Sequence, residues 1–97
     1  MFIVNNGLPA ELEDVLLSNA RITDVAVISV LDETQGELLR AYVIRADDSL
    51  TQQEVADFVA AKLSTFKLLK GGVDFIDAIP RSPAGKILRK ELRDRSN

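Results

Sequence analysis

The sequence predicts an α+β domain, a small and mainly antiparallel sheet of about three strands with helices packed on it. Three observations lead there. Residues 22–30 and 37–45 are rich in valine, isoleucine and leucine, and the short polar turn Asp32-Glu33-Thr34-Gln35-Gly36 separates them, which is the pattern of an antiparallel hairpin. Stretches with apolar residues at helical spacing lie on either side of that hairpin. The chain has 97 residues, 46% apolar and 28% charged, which suits one folded domain spanning 1–97 and argues against disorder.

The first element is a helix over residues 9–18. Pro9 suits its first turn because the missing N–H would have no partner there. Glu11, Glu13 and Asp14 suit the positive end of the helix dipole. Leu12, Val15 and Leu16 form its apolar stripe, and Ser18-Asn19 is the exit. Two strands follow. In the second, Leu39, Ala41 and Val43 face one way and Leu38, Arg40 and Tyr42 the other. Asp47-Asp48-Ser49 is a loop. Thr51 with Glu54 three residues on is a capping box, and it opens a helix over 52–64 whose inner face is Val55, Phe58, Val59 and Leu63. Lys70-Gly71-Gly72 is a turn into a short strand over 73–76. Residues 80–85 are too rich in Pro, Ser and Gly for regular structure, and 87–95 form a basic terminal helix. Phe58, Phe66 and Phe75 are expected in the core.

Composition removes several kinds of chemistry. With no cysteine and no histidine, the chain has no disulfide, no thiolate nucleophile, no Ser-His-Asp triad and no imidazole metal ligand. No metal site is expected. There is no apolar run of membrane-spanning length, and the first residues lack a signal-peptide pattern, so no membrane association is expected. Charge is uneven. Residues 1–80 carry six basic and thirteen acidic side chains, whereas 81–97 carry six basic and two acidic. A basic tail on an acidic body suits a phosphate-bearing ligand or an acidic partner, or else a solvated helix face with internal ion pairs. Nucleic acid fits least, because the body repels a polyanion and the tail has no aromatic residue for base stacking.

The informative segment is Asp77-Ala-Ile-Pro-Arg-Ser-Pro-Ala-Gly-Lys-Ile-Leu-Arg-Lys-Glu-Leu-Arg93. Pro80 and Pro83 restrict the backbone around Arg81-Ser82, and Gly85 gives it freedom beside Lys86. Such a loop can present one ammonium at a defined place, and an ammonium suits a carboxylate or phosphate oxygen. A solvated surface lysine before a helix is the alternative.

This segment strongly resembles the C-terminal signature of adenylate-forming enzymes, the superfamily of acyl- and aryl-CoA ligases (4-coumarate-CoA ligase type), luciferases and peptide-synthetase adenylation domains. Pro9-Ala-Glu-Leu-Glu-Asp-Val-Leu resembles the family's first small-domain helix, and Asp24-Val-Ala-Val-Ile-Ser-Val with Asp32-Glu33 and Gly36-Glu37 resembles its hairpin. Phe66-Lys67 and Gly71-Gly72-Val73 with Ile79-Pro80 resemble the run into the lysine loop, so the likeness covers about residues 8–94. Ser-Pro-Ala-Gly-Lys-Ile-Leu-Arg-Lys-Glu-Leu is closer to the CoA ligases than to peptide-synthetase domains, which tend to carry Asn-Gly-Lys followed by an acid.

The resemblance implies a role for Lys86 as the catalytic lysine that bridges the carboxylate and the ATP α-phosphate, with Arg81, Ser82 and Gly85 in the loop beside the nucleotide. It implies ATP with Mg2+ and CoA as co-substrates, a carboxylic acid substrate, and a large N-terminal domain that holds them. The small domain then rotates for thioester formation. Lys67 and Lys70 are candidates for the CoA phosphates, or solvated loop lysines. Arg89, Lys90 and Arg93 pair with acids of the large domain or cap the dipole of the terminal helix. The family's ATP and carboxylate motifs lie in the large domain and none is present here, so this chain alone is expected to be inactive. The family's hinge residue lies upstream of Met1, the glycine loop after it is poorly matched by Asn5-Asn6-Gly7-Leu8, and Asn19 stands where the family often has histidine. An intracellular, cytoplasmic setting is the expected location. The rival expectation is a free-standing interaction module of the same fold, binding through its basic tail.

Overall fold

The computed structural model describes residues 7–63 and 69–95. The elements among them run α1 (Gly7–Leu17), β1 (Ile22–Asp32), β2 (Gly36–Arg45), α2 (Gln52–Leu63), β3 (Val73–Phe75) and α3 (Arg89–Arg95), in the order and of the types that the sequence predicts. The strands form one sheet in the order β1-β2-β3. β1 and β2 pair antiparallel from Ile22 opposite Arg45 to Asp32 opposite Gly36, and β3 runs parallel to β2 after the α2 crossover. The fold is therefore α+β with a mainly antiparallel sheet.

Both faces of the sheet are covered. Val25, Val27, Ala41 and Val43 pack with Leu12 and Leu16 of α1 and Val55 and Val59 of α2. On the other face Ala26, Ile28 and Tyr42 pack with Ile76, Ile79 and Leu92 of α3. Burial on both sides explains why residues 25–28 read as an unbroken apolar run instead of an alternation. The register shifts between Ile22 and Asp24, which makes Thr23 an extra residue. Simple alternation would put Ile22 on the face of Ala26, but the bulge turns it into the cluster of Val25.

Several sequence expectations need correction. Helix α1 begins at Gly7, so Glu11, Glu13 and Asp14 fall outside its first turn and gain little from the dipole. Helix α3 begins at Arg89, two residues later than the sequence suggests, because Ile87 forms a bridge to Arg81. Phe58 and Phe75 are half-buried at the rim of the core, and Phe66 lies outside the described residues. Among the described residues the fully buried aromatic is Tyr42, 1% exposed, whose hydroxyl donates to the Leu92 carbonyl at 3.4 Å.

The capping box forms as the spacing requires. The Glu54 N–H donates to Thr51 Oγ1 at 3.1 Å and the Thr51 N–H donates to Glu54 Oε1 at 2.9 Å. Arg21 ties this helix start to the beginning of β1, donating to Asp47 at 2.9 Å, Ser49 at 3.0 Å and Glu54 at 3.2 Å. The Ser49 N–H and hydroxyl, then Arg21, hold the Asp47 carboxyl below its ordinary 3.8. The Thr51 N–H and Arg21 hold Glu54 below its ordinary 4.5. Folded values below unfolded ones stabilise the fold at neutral pH. That contribution is lost as pH falls through the folded values. The thermal unfolding midpoint should therefore drop on acidification below about pH 4. A double variant, Asp47→Asn with Glu54→Gln, should start lower at neutral pH and lose less on acidification. An equal acid loss in both proteins would contradict this account.

Candidate functional site

The lysine segment is a small closed hairpin. The Ser82 N–H donates to the Lys86 carbonyl at 2.8 Å and the Gly85 N–H donates to the Ser82 carbonyl at 2.8 Å. The Lys86 N–H donates to Ser82 Oγ at 3.2 Å. Pro83 takes the second position of the Ser82–Gly85 turn, where its fixed φ is pre-set. Gly85 follows with a φ of 90°, in the left-handed region. A Cβ there would meet nothing within 4 Å, so backbone conformation and not space calls for glycine. The bridge from Arg81 to Ile87 closes the base. Sequence reasoning expected an irregular loop, and these bonds give it a defined shape. Arg81, Ser82, Gly85 and Lys86 thus come together as one unit.

Arginines flank the lysine on both sides, and each reaches a carboxylate far away in sequence. Arg81 Nη2 donates to both oxygens of Asp24 at 2.9 Å, while its Nη1 donates to the Gly85 carbonyl at 2.9 Å. Arg89 meets both oxygens of Glu13, at 2.6 and 3.2 Å, and also donates to the Val27 carbonyl at 2.6 Å. Glu13 accepts the Val27 N–H at 2.8 Å. Arg93 donates to the Ser29 carbonyl at 3.2 Å. These side chains satisfy backbone groups on the outer edge of β1, which would otherwise be open to another strand. Arg89 is therefore the first residue of α3 and holds the fold together; it does not cap the helix's C-terminal end. Lys90 lies 3.9 Å from Asp94 in an exposed pair. Lys86 is exposed, and among the described residues its ammonium has no hydrogen-bond or ion-pair partner.

The other candidates lie elsewhere. Lys70 is exposed and borders a surface cleft with Val30, Leu31, Leu38 and Arg40, towards the hairpin tip. Asp24, which holds the lysine loop, is six residues back along β1, about 20 Å by strand rise. The structure thus places Lys70 and the Lys86 loop at opposite ends of β1. Lys67 lies outside the described residues. The glycine pair after Lys70 is a turn fastened to β2. The Gly71 N–H donates to the Leu39 carbonyl at 2.8 Å, and a Cβ on Gly71 would sit 2.7 Å from that oxygen. Among the described residues no cluster of acidic side chains is arranged to hold a metal ion, and no helix is long and apolar enough to cross a membrane.

Asp24 and Glu13 are the site residues that sequence reasoning missed. One signal was there for Glu13: it lies three residues before Leu16 and next to Leu12, on the buried side of α1. An acid on that side needs a partner.

The family model of the AMP-binding enzyme C-terminal domain matches residues 11–86, from α1 to the lysine itself. The chain belongs to this family. Relatives of the AMP-binding C-terminal domain are found at high identity. The chain is 53% identical over 88 residues to phenylacetyl-CoA ligase epaB of Aspergillus niger, covering 90% of this chain and 16% of that protein. It is 49% identical over 86 residues to 4-coumarate–CoA ligase 2 of Nicotiana tabacum, covering 88% and 16%. Among solved structures, a Mycobacterium tuberculosis fatty acyl CoA synthetase superposes with a TM-score of 0.81 at 38% identity, covering 90% of this chain and 17% of that one. The chain thus spans about a sixth of the length of the ligases it matches. The family and the fold that the lysine loop and hairpin imply are both borne out.

Proposed function

We propose that this chain works as the mobile C-terminal domain of an ATP-dependent, AMP-forming acyl- or aryl-CoA ligase, with Lys86 as its adenylation lysine. One observation carries the reading. Lys86 stands on a hairpin with a defined shape, its ammonium without a partner among the described residues, at the end of the family match.

In the first half-reaction a carboxylate oxygen attacks the α-phosphorus of ATP. The new bond is a mixed anhydride, and pyrophosphate leaves with the electron pair of the broken P–O bond. Two anions must meet, so repulsion raises the barrier. The Lys86 ammonium, with three donors, bridges the carboxylate and an α-phosphate oxygen and offsets that charge. It also keeps the reacting atoms in register. In the second half-reaction the thiolate of CoA attacks the acyl carbon and AMP leaves; the thiol proton passes to solvent. The domain rotates between the two steps as a rigid body about a hinge. The end of β1 opposite the lysine loop then faces the substrates, which brings Lys70 within reach of CoA phosphates. ATP with its Mg2+, and the acid, sit on the large domain. The names of the relatives favour an aromatic acid such as phenylacetate or 4-coumarate, or else a fatty acid.

The test joins this chain to the large domain of the Aspergillus niger phenylacetyl-CoA ligase, in place of that protein's matching segment. The chimera is expected to exchange labelled pyrophosphate into ATP in the presence of phenylacetate, and the large domain alone to do so far more slowly. A chimera no faster than the bare large domain would overturn the reading.

A further inference from the structure

The hydrogen bonds made by residues 81–86 stay almost entirely within the lysine hairpin. Ser82 bonds to Gly85 and Lys86, and Arg81 Nη1 bonds to the Gly85 carbonyl. Among the described residues one side chain of this hairpin tip makes hydrogen bonds to the rest of the fold: Arg81, whose Nη2 donates to both oxygens of Asp24, at 2.9 Å each. The guanidinium therefore links the Asp24 carboxylate to the carbonyl immediately before Lys86. Asp24 itself sits beside the Thr23 bulge of β1 and faces the same side of the sheet as Ala26 and Ile28, the side on which Ile79 packs. Its Oδ1 also accepts the Val25 N–H at 2.9 Å, which fixes the carboxylate on the strand.

We propose that Asp24 is a positioning residue for adenylation: through Arg81 it sets where the Lys86 hairpin stands relative to β1. This inference rests on the adenylation reading of Lys86 given above. The pair is partly solvated, with side chains 37% and 26% exposed, so it adds little to the stability of the fold. Its value lies in geometry. Nη2 spans both Asp24 oxygens while Nη1 holds the Gly85 carbonyl, so the planar guanidinium is anchored at both ends, which fixes direction as well as distance. A displacement of about 1 Å at a reacting group costs up to about 100-fold in rate. Arg81 then acts through Asp24 and Gly85, and does not touch the nucleotide.

The experiment uses the chimera with the phenylacetyl-CoA ligase large domain and measures each half-reaction separately. Adenylation is read as phenylacetate-dependent ATP–pyrophosphate exchange. The second step is read as phenylacetyl-CoA formation from synthetic phenylacetyl-adenylate and CoA. Asp24→Asn and Arg81→Gln are each expected to slow exchange about 10-fold, within the range that misplacement gives. The double variant should be no slower than the slower single variant, as coupled residues behave. The CoA step should stay within about twofold of wild type, which also shows that the variants are folded. Equal loss in both half-reactions would mean a purely structural contact and would overturn the proposal. So would an Arg81→Gln loss far beyond that of Asp24→Asn, which would place Arg81 on the nucleotide. Unchanged exchange in Asp24→Asn, with exchange lost in Lys86→Ala, sinks the positioning role alone. Unchanged exchange in Lys86→Ala removes the adenylation reading and this inference together.

Discussion

Lys86→Ala, placed in the chimera with the phenylacetyl-CoA ligase large domain, is expected to slow phenylacetate-dependent ATP–pyrophosphate exchange about 100-fold or more. The size follows from where the charge lies. In the adenylation proposed above a carboxylate and a triphosphate must approach each other, and a cation positioned between them offsets the charge that gathers there. The hairpin shows no competing use for the ammonium: its backbone N–H and carbonyl are both taken up by Ser82, and its side chain has no partner among the described residues. Removing it should therefore leave the fold intact, and the unfolding midpoint of the isolated chain should match that of wild type. Lys86→Arg keeps the charge but replaces a compact point donor with a planar fork, so it should restore only part of the rate. Loss of less than about threefold in Lys86→Ala would show that the ammonium carries no transition-state charge.

Glu13→Ala should be the most costly change of a charged side chain for stability. It removes the acceptor of the Val27 N–H at 2.8 Å and the partner of Arg89 at 2.6 Å in one step. Glu13 is 8% exposed, so water does not replace what is lost on its side. The Arg89 side chain is 35% exposed, so its guanidinium is rehydrated in part, which limits the damage. Chemical denaturation should show a loss of about 3 kcal/mol. Glu13→Gln keeps an oxygen for Val27 but gives up the charge, and should lose about half as much. A Glu13→Ala variant within about 0.5 kcal/mol of wild type would refute the structural role assigned to this pair.

Much of the architecture is legible in the sequence because the local signals agree. The turn at Asp32–Gly36 predicts the hairpin, and the Thr51–Glu54 box predicts the start of α2. The lysine segment is legible as a presenting loop because Pro80, Pro83 and Gly85 each restrict or free the backbone at a known place. What holds that loop is not legible. Asp24 and Glu13 are ordinary acids 57 and 76 residues from their arginines, and no local pattern pairs them. Glu13 was open to misreading because an acid early in a helix also suits the dipole. The parallel placement of β3 is likewise a tertiary result: three residues, Val73–Phe75, carry no signal of direction. The pattern puts Tyr42 on one face of a two-sided strand, and under α3 it is the largest fully buried side chain among the described residues.

In the proposed function Lys86 serves adenylation and not the fold or the CoA step. The direct measurement supplies the Lys86→Ala chimera with synthetic phenylacetyl-adenylate and CoA, so that the first half-reaction is bypassed. The account predicts phenylacetyl-CoA formation within a few-fold of wild type in a protein whose pyrophosphate exchange has collapsed. Equal collapse of both half-reactions, or survival of both, would contradict it.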